Sequence, residues 1–93
     1  MTLRSQAAVA KARYRKAREF YAMGKLWSRQ LAWKILHEIA NQVPGQYDKY
    51  RDAILVEAEE GEMYEAFRLL GTAARKAIED MEYVSQRNYS GRF

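Results

Sequence analysis

The sequence contains no cysteine, one proline and a single histidine among its 93 residues. Without cysteine the chain has no disulfide bond, no thiolate metal ligand and no thiol nucleophile. The lone histidine, His37, cannot supply the two Glu-x-x-His elements of a di-iron carboxylate bundle. A glycine-rich phosphate-binding loop is also missing. These absences predict a protein that is not an enzyme, with no catalytic residue, no cofactor and no metal.

Long apolar runs are missing as well. No segment approaches the ~18 apolar residues that a transmembrane helix needs, and residues 1–11 lack the continuous apolar stretch of a secretory signal. We therefore expect a cytoplasmic protein with no membrane partner. Five glycines and one proline are too few turn residues for a many-stranded β fold. The length predicts one domain over residues 1–93.

Apolar residues recur at helical spacing in four segments, at about 3–23, 26–42, 47–60 and 62–87. This pattern predicts an all-α fold, a small bundle of about four helices arranged as two αα-hairpins. Periodicity is lost in residues 85–93, which we expect to fray.

Two residues are predicted to bound the first helix. Thr2 is a favourable N-terminal cap, and Gly24 is suited to end the helix in a left-handed conformation. In the fourth helix, Gly71 interrupts a long apolar repeat and is interpreted as a site of close helix packing, with a kink in the helix as the alternative. The apolar positions of that repeat are Met63, Phe67, Leu70, Ala74, Ala77, Met81 and Val84.

The second helix is apolar over such a wide arc that we expect it to be the most buried of the four. Trp27 lies roughly opposite the centre of its predicted core face. We therefore expect Trp27 either to be covered by another helix or to be exposed as an interface anchor, a role in which tryptophan is enriched.

Charge is divided unevenly between the two halves of the chain. Residues 1–46 carry nine Lys or Arg and two acids, whereas residues 47–93 carry seven Lys or Arg and ten acids. The segment from Asp52 to Phe67 contains six acidic residues and no basic residue. We interpret this acidic run as a solvated corner, a patch for a basic partner, or an intramolecular match for the first helix. Its members are Asp52, Glu57, Glu59, Glu60, Glu62 and Glu65.

The first helix carries a basic stripe, which we define as Arg4, Lys11, Arg15 and Arg18. At about 100° per residue these four side chains fall within roughly 60° of one another. Lys16 flanks the stripe, Lys25 and Arg29 extend the positive region into the second helix, and Trp27 lies beside these cations. The predicted partner-binding residues are Arg4, Lys11, Arg15, Lys16, Arg18, Lys25, Trp27 and Arg29.

The predicted function is a small macromolecule-binding module, a protein-directed modulator or inhibitor of the accessory type found in phages and plasmids. Its expected partner is another protein, such as a component of a nucleic-acid-processing assembly. One alternative is a nucleic-acid-binding protein that uses the basic first helix, or a helix-turn-helix in which Ser28, Arg29 and Gln30 begin the recognition helix. Another alternative is a self-assembling helical homodimer.

Overall fold

Four α-helices follow one another along the chain: α1 (Leu3–Ala22), α2 (Leu26–Ala40), α3 (Arg51–Glu59) and α4 (Met63–Ser90). The computed structural model describes residues 2–90, with the side chains of residues 2–86. Within that range there is no β-strand, so the predicted all-α bundle of four helices is confirmed. None of the described helices combines the length and the apolarity that crossing a bilayer demands.

Both predicted boundaries of α1 are confirmed. The backbone N–H of Ser5 donates a hydrogen bond of 3.1 Å to the hydroxyl oxygen of Thr2, which caps the N-terminus. At the other end, Gly24 has a φ of +74° and its N–H donates to the carbonyl of Tyr21 at 3.1 Å. A side chain would strain this left-handed conformation, so the glycine supplies the turn into α2.

The third helix is shorter than predicted. We expected a helix from about residue 47 to 60, but residues 44–50 form consecutive turns, one of them closed by a 3.0 Å hydrogen bond from the N–H of Tyr50 to the carbonyl of Tyr47. Both tyrosines still pack against the core. Helical spacing of apolar residues therefore identified side chains that pack against the core without fixing the backbone conformation.

The fourth helix is longer than the periodicity indicated. It continues to Ser90 and so includes part of segment 85–93, for which fraying was predicted. Residues 91–93 lie outside the described residues. With 28 residues at about 1.5 Å each, α4 accounts for most of the 50 Å long dimension of the molecule.

α4 is the central helix of the bundle. Helices α1, α2 and α4 pack against one another in pairs, whereas α3 contacts only α4. The second helix, predicted to be the most buried, has a larger share of buried residues than α1 or α3, although Leu26, Trp27 and Leu31 of its wide apolar arc are exposed to solvent. The molecule is therefore a three-helix core with α3 attached to one side of α4.

The core is built mainly from small side chains. Nine of the fifteen buried hydrophobic residues among the described side chains are alanine, which lets the helix axes approach closely. The largest fully buried hydrophobic side chains are Leu36, Ile39, Ile54 and Leu70. Since burying such a side chain contributes about 1.5–3 kcal/mol, these few positions supply a large share of the hydrophobic stabilisation.

Gly71 is buried where α4 faces α1, and the helix runs through it without interruption. A Cβ atom added there would lie 3.5 Å from the hydroxyl oxygen of Tyr14, which is an ordinary van der Waals distance. Gly71 therefore packs next to the side chain of Tyr14, and the space between them is large enough for one methyl group.

We expect Gly71→Ala to stabilise the protein by about 0.5–1 kcal/mol, because alanine has the higher helix propensity and its methyl group fits. Chemical denaturation would measure the change. The matched control is Gly61→Ala, which should destabilise the protein because Gly61 has a φ of +83°. A loss of stability in Gly71→Ala would mean that α1 and α4 cannot accommodate the methyl group.

Candidate functional site

The basic stripe lies along the border between α1 and α4. All four of its side chains, Arg4, Lys11, Arg15 and Arg18, are exposed. The Lys11 ammonium contacts the carboxylate of Glu82 on α4 at 2.5 Å. The stripe therefore follows the side of α1 that faces α4.

Acids from other helices partly neutralise α1. Lys11 pairs with Glu82 of α4, and Arg13 pairs with Glu38 of α2 through a hydrogen bond that holds the pKa of Glu38 below its usual range. No member of the acidic run forms an ion pair with α1 among the described side chains: Asp52 contacts Arg51 and Glu65 contacts Arg68. Of the three interpretations of this run, pairing with the first helix is therefore not seen among the described side chains, and the solvated corner and the patch for a basic partner stay open.

A patch of large apolar side chains is exposed on α2. We call it the tryptophan patch and define it as Leu26, Trp27 and Leu31, which are 72%, 52% and 36% exposed. Leu31 follows Trp27 by four residues, so both side chains lie on the same side of the helix. The edge of Trp27 packs against Phe20 of α1, with ring centroids 6.3 Å apart and planes at 64°. Of the two states predicted for Trp27, covered by another helix or exposed, the structure therefore shows the exposed one, with one edge of the ring against Phe20.

Lysines surround the tryptophan patch. The Lys16 ammonium lies 5.6 Å from the centroid of the Phe20 ring, which itself contacts Trp27. Lys25 immediately precedes the patch, and Lys34 follows Leu31 by three residues on the same side of α2. All three lysines are exposed. The patch therefore combines an apolar centre with a positive rim.

Arg29 and Ser28 point into the protein rather than towards a partner. The Arg29 guanidinium lies 5.0 Å from the centroid of the Tyr21 ring, and its Nε is buried without a hydrogen-bond partner among the described residues. Ser28 is fully buried, and its hydroxyl donates to the carbonyl of Lys25 at 2.9 Å. Of the three residues that would begin a helix-turn-helix recognition helix, only Gln30 is exposed.

The predicted binding residues therefore divide between two faces of the molecule. Lys16, Lys25 and Trp27 gather at the tryptophan patch beside the α1–α2 junction, whereas the basic stripe borders α4. Arg29 belongs to neither face, because it packs on Tyr21.

The sequence analysis missed two arginines on α4. Arg68 and Arg75 face Arg18 across a groove between α1 and α4, and Thr72 lies between them. The sequence does contain a signal for these arginines. Arg68, Thr72 and Arg75 are spaced by four and three residues, which places them on one side of a helix. The basic stripe thus has a positively charged counterpart on the neighbouring helix.

His37 is a packing residue. Its ring lies 5.3 Å from that of Trp33 and 5.2 Å from that of Tyr47, and burial lowers its pKa. Among the side chains that the structure describes, no group of three or more His, Asp or Glu is arranged to hold a metal ion.

No protein-family model, curated protein or solved structure matches this chain. Its function is therefore inferred from the chemistry of its own surfaces. Two surfaces stand out: the tryptophan patch on α2, and the arginine-lined groove between α1 and α4.

Proposed function

We propose that this protein is a small, non-enzymatic binding module that docks on another protein through the tryptophan patch and thereby modulates or inhibits it. The exposure of Leu26 and Trp27 carries this proposal. Burying apolar surface stabilises a complex by about 25 cal/mol per Å². Neighbouring large apolar side chains that are exposed to solvent are therefore typical of interaction sites. A partner that covers the patch recovers that free energy.

The charges around the patch specify the partner's chemistry. Lys16, Lys25 and Lys34 flank the apolar centre, and no carboxylate lies within ion-pair distance of the latter two among the described side chains. The complementary surface is an apolar pocket with a rim of carboxylates. Trp27 would fill the pocket and supply most of the affinity, while the lysines would speed association and fix orientation.

The rigidity of the patch supports a blocking or tethering role. Trp27 is buttressed by Phe20, and α2 is packed against both α1 and α4. A side chain that is already held in place loses less conformational freedom on binding, which favours affinity from a small contact. A component of a nucleic-acid-processing assembly in the cytoplasm is the type of partner we favour.

The test begins with capture of a partner on the tagged protein with nuclease present, followed by a dissociation constant for the purified pair. We expect Trp27→Ala to weaken binding by about 30-fold or more, because interface tryptophans commonly contribute 2 kcal/mol or more. Since Trp27 is half exposed, the variant should unfold near the wild-type temperature.

The matched control is Tyr83→Ala, which removes an exposed aromatic side chain from α4. We expect it to bind the partner as the wild type does. The proposal fails if Trp27→Ala and the wild type have the same dissociation constant, or if every captured partner is lost on nuclease treatment.

A further inference from the structure

The groove between α1 and α4 is a second surface, with a chemistry unlike that of the tryptophan patch. It is an open groove with a volume of about 430 Å³. Tyr21 and Phe67 are among its lining residues, and their rings stack with centroids 3.9 Å apart. Its polar lining residues include Tyr14, Arg18, Tyr64, Arg68, Thr72 and Arg75.

The groove has three guanidinium groups and no carboxylate among its lining residues. Arg18 and Arg75 have no acidic partner within ion-pair distance in the described part of the chain, and Arg68 contacts Glu65 at 2.7 Å. Because Glu65 offsets the charge of Arg68, Arg18 and Arg75 are the cations of the groove that repel each other across the facing helices in the free protein. An anion placed between them removes that repulsion, so the arrangement favours an anionic ligand.

Arginine is the cation best suited to phosphate, since its planar fork donates two parallel hydrogen bonds to phosphate oxygens. Beside the arginines stands Tyr64, whose side chain is 66% exposed. An exposed aromatic ring next to phosphate-binding cations is the combination that binds single strands, because an unpaired base can stack on the ring. A purely acidic peptide would make no comparable use of Tyr64.

The basic stripe extends the groove along α1. From Arg18 it runs through Arg15 and Lys11 to Arg4, fourteen residues or about 21 Å of helix. These cations could contact phosphate groups of a strand beyond the groove itself. One of them, Lys11, also forms an ion pair with Glu82.

We propose that the groove between α1 and α4 binds single-stranded nucleic acid, with Arg18, Arg68 and Arg75 on phosphate groups and Tyr64 stacked on a base. The basic stripe guides the strand as it leaves the groove. This activity is separate from docking through the tryptophan patch, because the patch lies on α2 and lines no part of the groove.

The test is fluorescence anisotropy with a labelled oligothymidine of about 12 nucleotides, titrated at several salt concentrations from about 50 mM upwards. We expect Arg75→Gln to weaken binding and to lower the slope of log affinity against log salt by about 0.7, the value for one lost phosphate contact on a single strand. The control is Lys76→Gln, which removes the same charge one position away, on an exposed side chain outside the groove.

Tyr64→Ala should weaken binding by about 5- to 160-fold without changing the salt slope, since stacking releases no counterion. Tyr83→Ala removes an exposed tyrosine elsewhere on α4 and should bind as the wild type does. Trp27→Ala should also retain full affinity for the oligonucleotide, which separates this proposal from the one above.

Four results would overturn the proposal. They are absence of binding at about 50 mM salt, equal losses in Arg75→Gln and Lys76→Gln, tighter binding of a duplex of the same length, and tighter binding of an acidic peptide to the same groove. The first two would reduce the groove to a solvated surface, and the last two would assign it a different ligand.

Discussion

Leu70→Asp is expected to leave the protein unfolded under conditions in which the wild type is folded. Leu70 is fully buried on α4, the helix that contacts all three others. Truncating a buried leucine costs about 2–5 kcal/mol, and an uncompensated buried carboxylate costs several kcal/mol more. A chain of this length is stable by roughly 5–14 kcal/mol, so the combined cost removes most or all of its stability.

Far-ultraviolet circular dichroism and thermal melting would test this expectation. Leu55→Asp introduces the same change at an exposed leucine of α3 and should keep wild-type helix content and a cooperative melt. A Leu70→Asp variant that melts at the wild-type temperature would show that α4 presents a different face to the core.

Ile54→Ala is expected to release α3 from the bundle without unfolding the other helices. Ile54 is the buried residue of α3, and α3 contacts only α4. Truncating a buried isoleucine costs about 2–5 kcal/mol. A helix of nine residues is not stable in isolation, so once its contact with α4 is weakened α3 opens locally. Helices α1, α2 and α4 retain their mutual contacts.

Hydrogen exchange resolved by residue would distinguish local from global opening. We expect backbone amides of residues 51–59 to lose protection in Ile54→Ala while those in the middle of α1, α2 and α4 keep theirs. Val56→Ala, at an exposed position of the same helix, should leave the pattern unchanged. Equal loss of protection in all four helices would mean that α3 belongs to the same cooperative unit as the core.

Release of α3 also has a consequence for the two proposed surfaces. The tryptophan patch belongs to α2, and the groove is lined by α1 and α4, so neither includes a residue of α3. Ile54→Ala should therefore retain both binding activities. The two surfaces flank α1 on different sides, which would allow a protein partner and a nucleic acid strand to be bound together.

Local rules determined much of the fold from the sequence alone. The number of helices follows from apolar periodicity, and the ends of α1 follow from the capping chemistry of Thr2 and the conformational freedom of Gly24. The repeat in the fourth helix also identified Leu70 and Met81, both of which are buried. Each of these features depends on residues a few positions apart, so the sequence displays it directly.

Apolar periodicity did not predict which face of a helix is buried where the apolar arc is wide, nor the backbone conformation where the segment is short. In α2 the apolar residues cover so much of the helix that several faces could have been buried, and only the packing of α1 and α4 leaves Trp27 exposed. In residues 47–50, turns place Tyr47 and Tyr50 against the core as well as a helix would.

The pairing of charges was decided by the tertiary structure alone. The sequence identified the basic stripe, but not that Lys11 meets Glu82, that Arg13 meets Glu38, or that Arg18 faces Arg75 across a groove. The Lys11–Glu82 and Arg18–Arg75 pairs each join α1 to α4, and the two residues of each pair are more than fifty positions apart in the sequence. Such contacts depend on how whole helices pack, and helix packing is set by the alanine-rich core rather than by the charged residues themselves.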